Sequence, residues 1–164
     1  MKYSETQALP KIAAYCSKAE RAESDVRKKL LGWELDGESS QRIITRLKKE
    51  NFLNEERYCR SFIKDKIQFN KWGKVKIVFE LKKKRISESI INSCFEEIES
   101  SDFETPLMKI LANKAKSVKA SNDYERWTKL VRFGMGRGYS LDQIKKCLSK
   151  ILDTNGEDYF ESFP

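Results

Sequence analysis

Three features of the sequence predict an all-α protein. Lysine, glutamate, leucine, isoleucine and serine dominate its 164 residues, and only three prolines and seven glycines interrupt it; this composition favours helices over sheets. Apolar residues recur at helical spacing, and the same arrangement returns three times along the chain. We therefore predict three tandem three-helix modules, at 8–50, 51–99 and 102–152. They should stack into an elongated or curved array, because none of them buries its apolar face well alone.

The repeat is a frame in which apolar residues stand four and eight positions after a serine. Its three copies are Ser39-Ile43-Leu47, Ser87-Ile91-Phe95 and Ser140-Ile144-Leu148. Each serine is predicted to cap the third helix of its module through its hydroxyl. Two positions earlier, Gly37 and Gly138 are predicted to supply the left-handed residue that ends the preceding helix. Arg85 occupies this place in the middle copy.

The first two helices of each module are predicted from apolar stripes. The first helices are marked by three sets of residues: Ile12, Tyr15 and Cys16; Tyr58, Cys59, Phe62 and Ile63; and Leu107, Ile110 and Leu111. The second helices are predicted over 24–35, 73–84 and 123–137. In the first module the inward stripe of this helix is Val26, Leu30, Leu31 and Leu35. The acidic, aromatic segment 153–164 loses the helical period and is predicted to be loose.

The net charge of +8 is unevenly distributed. Residues 64–85 contain nine Lys or Arg against two acids, whereas residues 86–105 contain six acids and no basic residue. Such blocks indicate contact with a polyanion or an acidic protein surface, although solvated faces of lysine-rich helices give a similar pattern.

The cysteines and the hydropathy indicate the compartment. The four cysteines are far apart and lie inside apolar helical patterns, which favours buried free thiols in a reducing cytoplasm. No apolar run is long enough to cross a membrane, and the start of the chain lacks the pattern of a secretory signal. We expect a cytoplasmic protein without membrane contact.

No active site can be assembled from the residues of the sequence. It contains no histidine and no glycine-rich phosphate-binding motif, so no active site, cofactor or structural zinc is expected. A group of four carboxylates could bind a hard cation, but a solvated acidic helix end is the favoured interpretation; these are Glu96, Glu97, Glu99 and Asp102. The three tryptophans, Trp33, Trp72 and Trp127, are expected to pack between helices rather than stack on bases.

The segment 70–87, NKWGKVKIVFELKKKRIS, combines an apolar pattern with six lysines and one arginine. On a helix, Ile77, Val78 and Leu81 share one face, so they can pack inward while the lysines point outward. Lysines near the end of this helix also complement its dipole. The basic residues upstream have no such local explanation, so we predict a binding surface. It comprises Lys64, Lys66, Lys71, Lys74, Lys76, Lys82, Lys83, Lys84 and Arg85.

The segments FLNEERYCRSFIKDKI and WGKVKIVFELKKKRIS, at 52–67 and 72–87, resemble the central module of the RecX family. The matching residues, which we expect to be mainly structural, are Arg57, Tyr58, Phe62, Gly73, Ile77, Glu80 and Leu81, with Ile86 completing the motif. The chain departs from the family pattern at Cys59, where alanine is usual, and at Arg85, where glycine is usual. The resemblance extends to the helix with Tyr15 and Cys16 and to the three-module length.

This resemblance implies a non-enzymatic regulator of the RecA recombinase. Members of the family bind the RecA filament on DNA and repress strand exchange and ATP hydrolysis. The partners expected from it are the RecA filament and the phosphates of single- or double-stranded DNA, contacted by a monomer.

The alternative function is direct, largely sequence-nonspecific DNA binding by a helical protein. The basic cluster is nearly all lysine, which provides charge without the bidentate contacts to base edges that arginine, asparagine or glutamine make. Sequence-specific recognition of the helix-turn-helix kind is therefore disfavoured. An enzyme acting on nucleic acid would need a metal-binding carboxylate set that the sequence does not supply.

Overall fold

The computed structural model of the protein describes residues 2–152, whose regular structure is entirely helical. Nine α-helices and one π-helix occur there: α1 (Glu5–Lys18), α2 (Glu23–Gly32), α3 (Gly37–Lys49), α4 (Glu55–Asp65), the π-helix (Lys66–Asn70), α5 (Lys74–Lys83), α6 (Glu88–Glu96), α7 (Ser100–Ser117), α8 (Asp123–Gly136) and α9 (Leu141–Leu152). The all-α prediction is confirmed for these residues, and the predicted loose segment 153–164 lies outside them. None of these helices combines the length and apolar character that spanning a membrane requires.

Two of the three predicted serine caps are confirmed. The Ser87 hydroxyl accepts a hydrogen bond from the amide of Ile90 at 3.3 Å, and the Ser140 hydroxyl accepts one from Gln143 at 3.2 Å. The prediction for Ser39 is wrong, because α3 begins one turn earlier. Asp36 caps this helix, and its carboxylate accepts from the Ser39 amide at 2.7 Å. This hydrogen bond also lowers the pKa of Asp36, since it stabilises the charged carboxylate.

The residues with positive φ, like the serine caps, occupy the expected place of the repeat in the second and third copies but not in the first. Gly138 has φ of +97°, as predicted for the third copy, and Arg85 takes the left-handed conformation at the same place in the second copy, with φ of +60°. In the first copy Glu34, with φ of +60°, takes this conformation instead of Gly37, which is the first residue of α3. Leu31 lies within α2 but about 100° around the helix from Leu30, so it does not join the inward stripe and is 71% exposed.

The described chain divides into two compact units. One unit comprises residues up to Phe62 together with Glu80–Phe95, and the other comprises Ile63–Phe79 together with the residues from Glu96 onward. The chain therefore passes from one unit to the other within α4, within α5 and at the end of α6. The division into modules at 8–50, 51–99 and 102–152 stays a prediction.

In the first unit, the core forms where α1, α2 and α3 pack together. Its buried residues are Ala8, Ile12, Cys16, Val26, Leu30, Leu35, Ile43, Ile44, Leu47 and Leu53. Trp33 packs at its edge, with the Tyr3 ring 5.2 Å away in an edge-to-face arrangement. This burial removes aliphatic side chains from water, which is the main favourable term in folding.

In the second unit, helices α7, α8 and α9 pack against one another and the π-helix packs on α7. The buried side chains of these elements include Ile67, Phe103, Leu107, Leu111, Trp127, Leu130, Val131, Ile144 and Leu148. Trp127 is therefore a core residue, as predicted. Tyr139 is also buried, its ring meets Phe103 edge-to-face, and its hydroxyl donates to the Lys71 carbonyl oxygen at 2.9 Å.

All four cysteines are buried free thiols. Burial raises the pKa of Cys59 to about 12, and it also raises the pKa of Cys16 and Cys147. Since the thiolate is the reactive form, these side chains behave as small apolar groups rather than as nucleophiles.

The turn before α5 lies against the turn between α8 and α9, and both belong to the second unit. The Gly73 amide donates to the Arg137 carbonyl at 2.7 Å, and the Val75 amide donates to the Gly138 carbonyl at 3.1 Å. These carbonyls satisfy amides at the start of α5 that have no partner within the helix. The backbones are so close that a Cβ on Gly73 would lie 2.4 Å from the carbonyl carbon of Gly138.

We expect Gly73→Ala to lower the free energy of unfolding by about 2 kcal/mol or more, because the new methyl group must displace backbone rather than a side chain. Thermal denaturation followed by circular dichroism measures this loss. Gly136→Ala is the matched control, since no atom lies within 4 Å of its would-be Cβ; it should be neutral or stabilising by up to about 1 kcal/mol. Equal stabilities for the two variants would contradict the close contact.

Arg85 adopts a backbone conformation that glycine tolerates better than other residues. We therefore expect Arg85→Gly to raise the free energy of unfolding by up to about 1 kcal/mol, despite the greater freedom of glycine in the unfolded chain. Urea denaturation checks the sign, and Arg85→Ala serves as the control that removes the charge but keeps the Cβ. If both variants change stability equally, the positive φ has no energetic cost at this position.

Candidate functional site

The nine residues of the predicted basic surface follow one another along α4, the π-helix and α5, but they are divided between the two units. Lys64, Lys66, Lys71, Lys74 and Lys76 belong to the second unit, whereas Lys82, Lys83, Lys84 and Arg85 belong to the first. Continuous helix α5 carries members of both groups. The role of these nine residues in binding stays a prediction. Within each unit, however, their side chains make different contacts.

Trp72 brings two of these lysines together in the second unit. The Lys66 ammonium lies 5.0 Å and the Lys76 ammonium 4.7 Å from the centre of the half-buried indole ring. Both distances are within the range for attraction between a cation and the aromatic ring face. The π-helix and the first turn of α5 thus present two positive charges around one aromatic ring. The packing of Trp72 between helices stays a prediction.

Lys64 and Lys71 have a different environment. They line an open cleft beside the π-helix and α7, together with the carboxylates of Glu97 and Asp102. Asp102 also accepts a hydrogen bond from the Glu99 amide at 2.9 Å and so caps the start of α7. Acidic groups on the same cleft weaken the positive potential around Lys64 and Lys71.

Lys84 is engaged within the first unit. Its ammonium lies 2.8 Å from the Asp25 carboxylate, and its carbonyl oxygen accepts a hydrogen bond from the Ser24 hydroxyl at 2.7 Å. These contacts join the end of α5 to the start of α2. Lys83 is 3.6 Å from Glu80 on the same helix, a weak surface pair.

The residues that match the family motif make mainly internal contacts. The Arg57 guanidinium contacts the Glu20 carboxylate at 2.5 Å, and it also donates to the backbone carbonyl of Asn51. Tyr58 lies with its ring centre 5.8 Å from that of Phe62, and burial raises the pKa of its hydroxyl to about 12. The remaining apolar members, Ile77 and Leu81, are fully buried.

The binding surface predicted from the sequence does not include two exposed apolar side chains of α5. Val75 and Phe79 are 67% and 61% exposed, although they belong to the apolar pattern of this segment. In the preceding π-helix, Phe69 is 70% exposed. The signal was present in the sequence, because a period of 3.6 residues places positions 75 and 79 on the side of the helix opposite to 77 and 81.

The carboxylates do not gather into a metal site within residues 2–152, where no group of three or more cysteine, aspartate or glutamate side chains could hold an ion. The glycine-rich segment 133–138 ends α8, which stops at Gly136, and its last glycine has a positive φ. Neither feature supplies chemistry for a reaction at this surface.

Short helices packed around apolar cores in each unit define an all-α protein. Two family models match the chain: the second three-helix domain of RecX at residues 54–94 and the third at residues 107–148. Together they cover half of the chain. The protein belongs to the RecX family, as its central motif predicted.

Curated relatives agree with this assignment. The chain is 29% identical to the regulatory protein RecX of Clostridium acetobutylicum over 157 residues, which is 93% of this chain and 71% of that protein. It is 31% identical to the regulatory protein RecX of Clostridium tetani over 144 residues, or 87% of this chain and 66% of that protein. The chain thus spans about two thirds of the length of these relatives, and a regulatory role in general follows from the family.

The fold is also that of solved RecX structures. A crystal structure of RecX from Lactobacillus salivarius superposes with a TM-score of 0.81 at 17% identity, covering 92% of this chain and 97% of that one. A second crystal structure, described as regulatory protein RecX, gives a TM-score of 0.79 at 21% identity over 92% of this chain and 73% of that chain. At these identities the likeness concerns the fold.

We expect Asp25→Asn and Lys84→Gln to destabilise the protein with a coupling of about 0.5 kcal/mol in a double-mutant cycle, because they remove a partly exposed ion pair. Chemical denaturation in dilute buffer measures the coupling, which should fall as salt is added. Lys82→Gln provides the control and should show no coupling to Asp25→Asn. A coupling of zero for Lys84 would return this residue to the candidates for binding.

Proposed function

We propose that this protein binds the RecA filament on DNA and inhibits its recombinase and ATPase activities without being an enzyme itself. The observation that carries the proposal is the lysine-rich segment 64–85, a strip with net charge +7 within the second three-helix domain of a RecX chain. Three of its lysines, Lys74, Lys82 and Lys83, lie on α5 and are exposed. A lysine strip of this kind suits an extended anionic partner better than a small ligand.

The internal contacts of the motif support a binding role that does not involve chemistry. Arg57 and Ile77 hold helices in place, so they are not available to act on a substrate. The buried thiol of Cys59 has a strongly raised pKa and is a poor nucleophile. In this proposal the protein regulates RecA by binding to its filament. It acts as a monomer in the cytoplasm.

The second candidate is direct, largely sequence-nonspecific DNA binding, and the abundance of lysine in the strip favours it. Each phosphate neutralised by a lysine releases a counterion, so the logarithm of affinity for duplex DNA falls by about 0.9 per contact for each tenfold rise in salt. If DNA were the main partner, binding in the absence of RecA should show this slope and should be lost together with inhibition in lysine variants.

We expect the protein to inhibit the DNA-dependent ATP hydrolysis of RecA at or below equal concentration. Simultaneous reversal of four charges, at Lys74, Lys76, Lys82 and Lys83 to Glu, should relieve this inhibition at least about tenfold in concentration, because attraction becomes repulsion. The measurement is steady-state ATP hydrolysis at several concentrations of the regulator, with helical content checked by circular dichroism.

A matched control changes the same number of charges elsewhere. Lys2, Lys18, Lys28 and Lys49 are exposed residues of the first unit, and their reversal to Glu gives the same net charge. Inhibition should survive in this variant. The proposal fails if the native protein leaves ATP hydrolysis unchanged, and the lysine strip is the wrong surface if both variants lose inhibition equally.

A further inference from the structure

Helix α5 carries apolar side chains on two opposite faces. Ile77 and Leu81 are fully buried and anchor the helix, whereas Val75 and Phe79 are mostly exposed. With 3.6 residues per turn, Val75 and Phe79 are neighbours one turn apart on the outer side. A helix at the surface of a globular protein normally presents polar residues on that side. Most of the surface of Val75 and Phe79 is therefore accessible on the outer side of α5.

Exposed apolar residues are concentrated in this part of the molecule. Among residues 2–152, seven large apolar side chains are more than a third exposed: Leu31, Phe69, Val75, Phe79, Tyr124, Met135 and Leu141. Three of these seven lie within the short segment Ile63–Phe79 of the second unit. Single exposed apolar residues are common on soluble proteins, whereas a local concentration marks an interaction surface.

The charges beside the outer pair all have one sign on the first turn of α5. Lys74 is exposed and precedes Val75, and Lys76 follows it with its ammonium near the Trp72 ring. The amide of Val75 itself is bonded to the Gly138 carbonyl, so the first turn of α5 is fixed by backbone contacts. The apolar pair is thus held on a rigid element with positive charge next to it, which limits the entropy lost on binding.

This combination distinguishes a protein partner from a bare nucleic acid. Phosphates attract lysines but offer nothing to an exposed valine. Bases can stack on an aromatic ring, but a valine has no ring and does not contribute to stacking. Burial in an apolar groove rewards both side chains by about 25 cal/mol for each Å² removed from water. Two apolar residues one turn apart are also the pattern with which a helix fits a groove.

We propose that Val75 and Phe79 form the apolar centre of a protein-docking surface on α5, with Lys74 and Lys76 at its edge. The partner that fits this surface presents an apolar groove bordered by carboxylates. The inference rests on the proposed function, since it identifies that partner as a subunit of the RecA filament. Apolar contact then provides most of the affinity, and the lysines accelerate encounter and orient the complex.

The test uses the full chain with Val75→Gln and Phe79→Gln together, since glutamine is a good helix former and preserves charge. Binding to RecA filaments assembled on single-stranded DNA is measured by surface plasmon resonance. We expect the double variant to bind at least about tenfold more weakly, because central aromatic contacts usually dominate an interface. The slope of affinity against salt should stay as in the native protein, whereas Lys74→Gln with Lys76→Gln should reduce that slope.

Leu31→Gln is the matched control, because Leu31 is equally exposed on α2 of the first unit. It should bind the filaments as the native protein does. Thermal denaturation checks that all variants are folded, and binding to free single- and double-stranded DNA without RecA is measured in parallel. We expect the Val75 and Phe79 changes to leave this DNA binding unchanged.

The outcomes separate the two proposals. If the native protein binds filaments and the double variant binds equally well, the docking surface is refuted while the proposed function stands. If the double variant loses affinity for free DNA and for filaments to the same extent, the partner of this surface is nucleic acid, and the inference is overturned. If the native protein does not bind filaments at all, the proposed function fails and the identification of RecA fails with it.

Discussion

The position of α5 depends on a contact between two stretches of backbone that lack side chains at the point of closest approach. Gly73 and Gly138 come together there, and carbonyls of the α8–α9 turn accept hydrogen bonds from amides at the start of α5. A helix start of this kind often binds an anion through its free amides. Here the Gly73 and Val75 amides donate to carbonyls of the protein itself, so these two amides are not available to an anion.

The lysines of the segment 64–85 do not form a uniform surface. Lys84 joins α5 to α2 through Asp25, and Lys64 and Lys71 line a cleft that also contains carboxylates. Lys74 and Lys76 stand beside an exposed valine, and the aromatic ring of Phe79 follows one turn later. One basic run therefore serves two purposes, since part of it stabilises the fold while another part is left at the surface beside apolar groups.

Local rules predicted most of the fold. The helical period gave the all-α class and the buried faces of α3, α5 and α9, and serine caps were correct wherever no other cap competed. They failed at Ser39 because Asp36, three residues earlier, offers a carboxylate that binds the same amide. They failed at Leu31 because this residue, although within α2, lies about 140° around the helix from Val26 and about 100° from Leu30, the two residues that face the core.

The site was less predictable, for a physical reason. Sequence periodicity reports that Val75 and Phe79 lie opposite Ile77 and Leu81, but it does not report which neighbours cover either side. Likewise, the composition counts Lys84 as one positive charge among nine in this segment, and it does not report that Asp25, 59 positions away in sequence, contacts it. Long-range contacts of this kind decide which charged side chains stabilise the fold.

The burial of all four thiols makes the chain convenient for fluorescence work. A cysteine introduced at an exposed position would react with a maleimide dye far faster than the native cysteines, because all four are buried and burial raises the pKa of Cys16, Cys59 and Cys147. One such position in each unit would accept a donor and an acceptor dye without prior removal of Cys16, Cys59, Cys94 or Cys147. Energy transfer between the dyes would then report the separation of the two units in solution, both alone and on a filament.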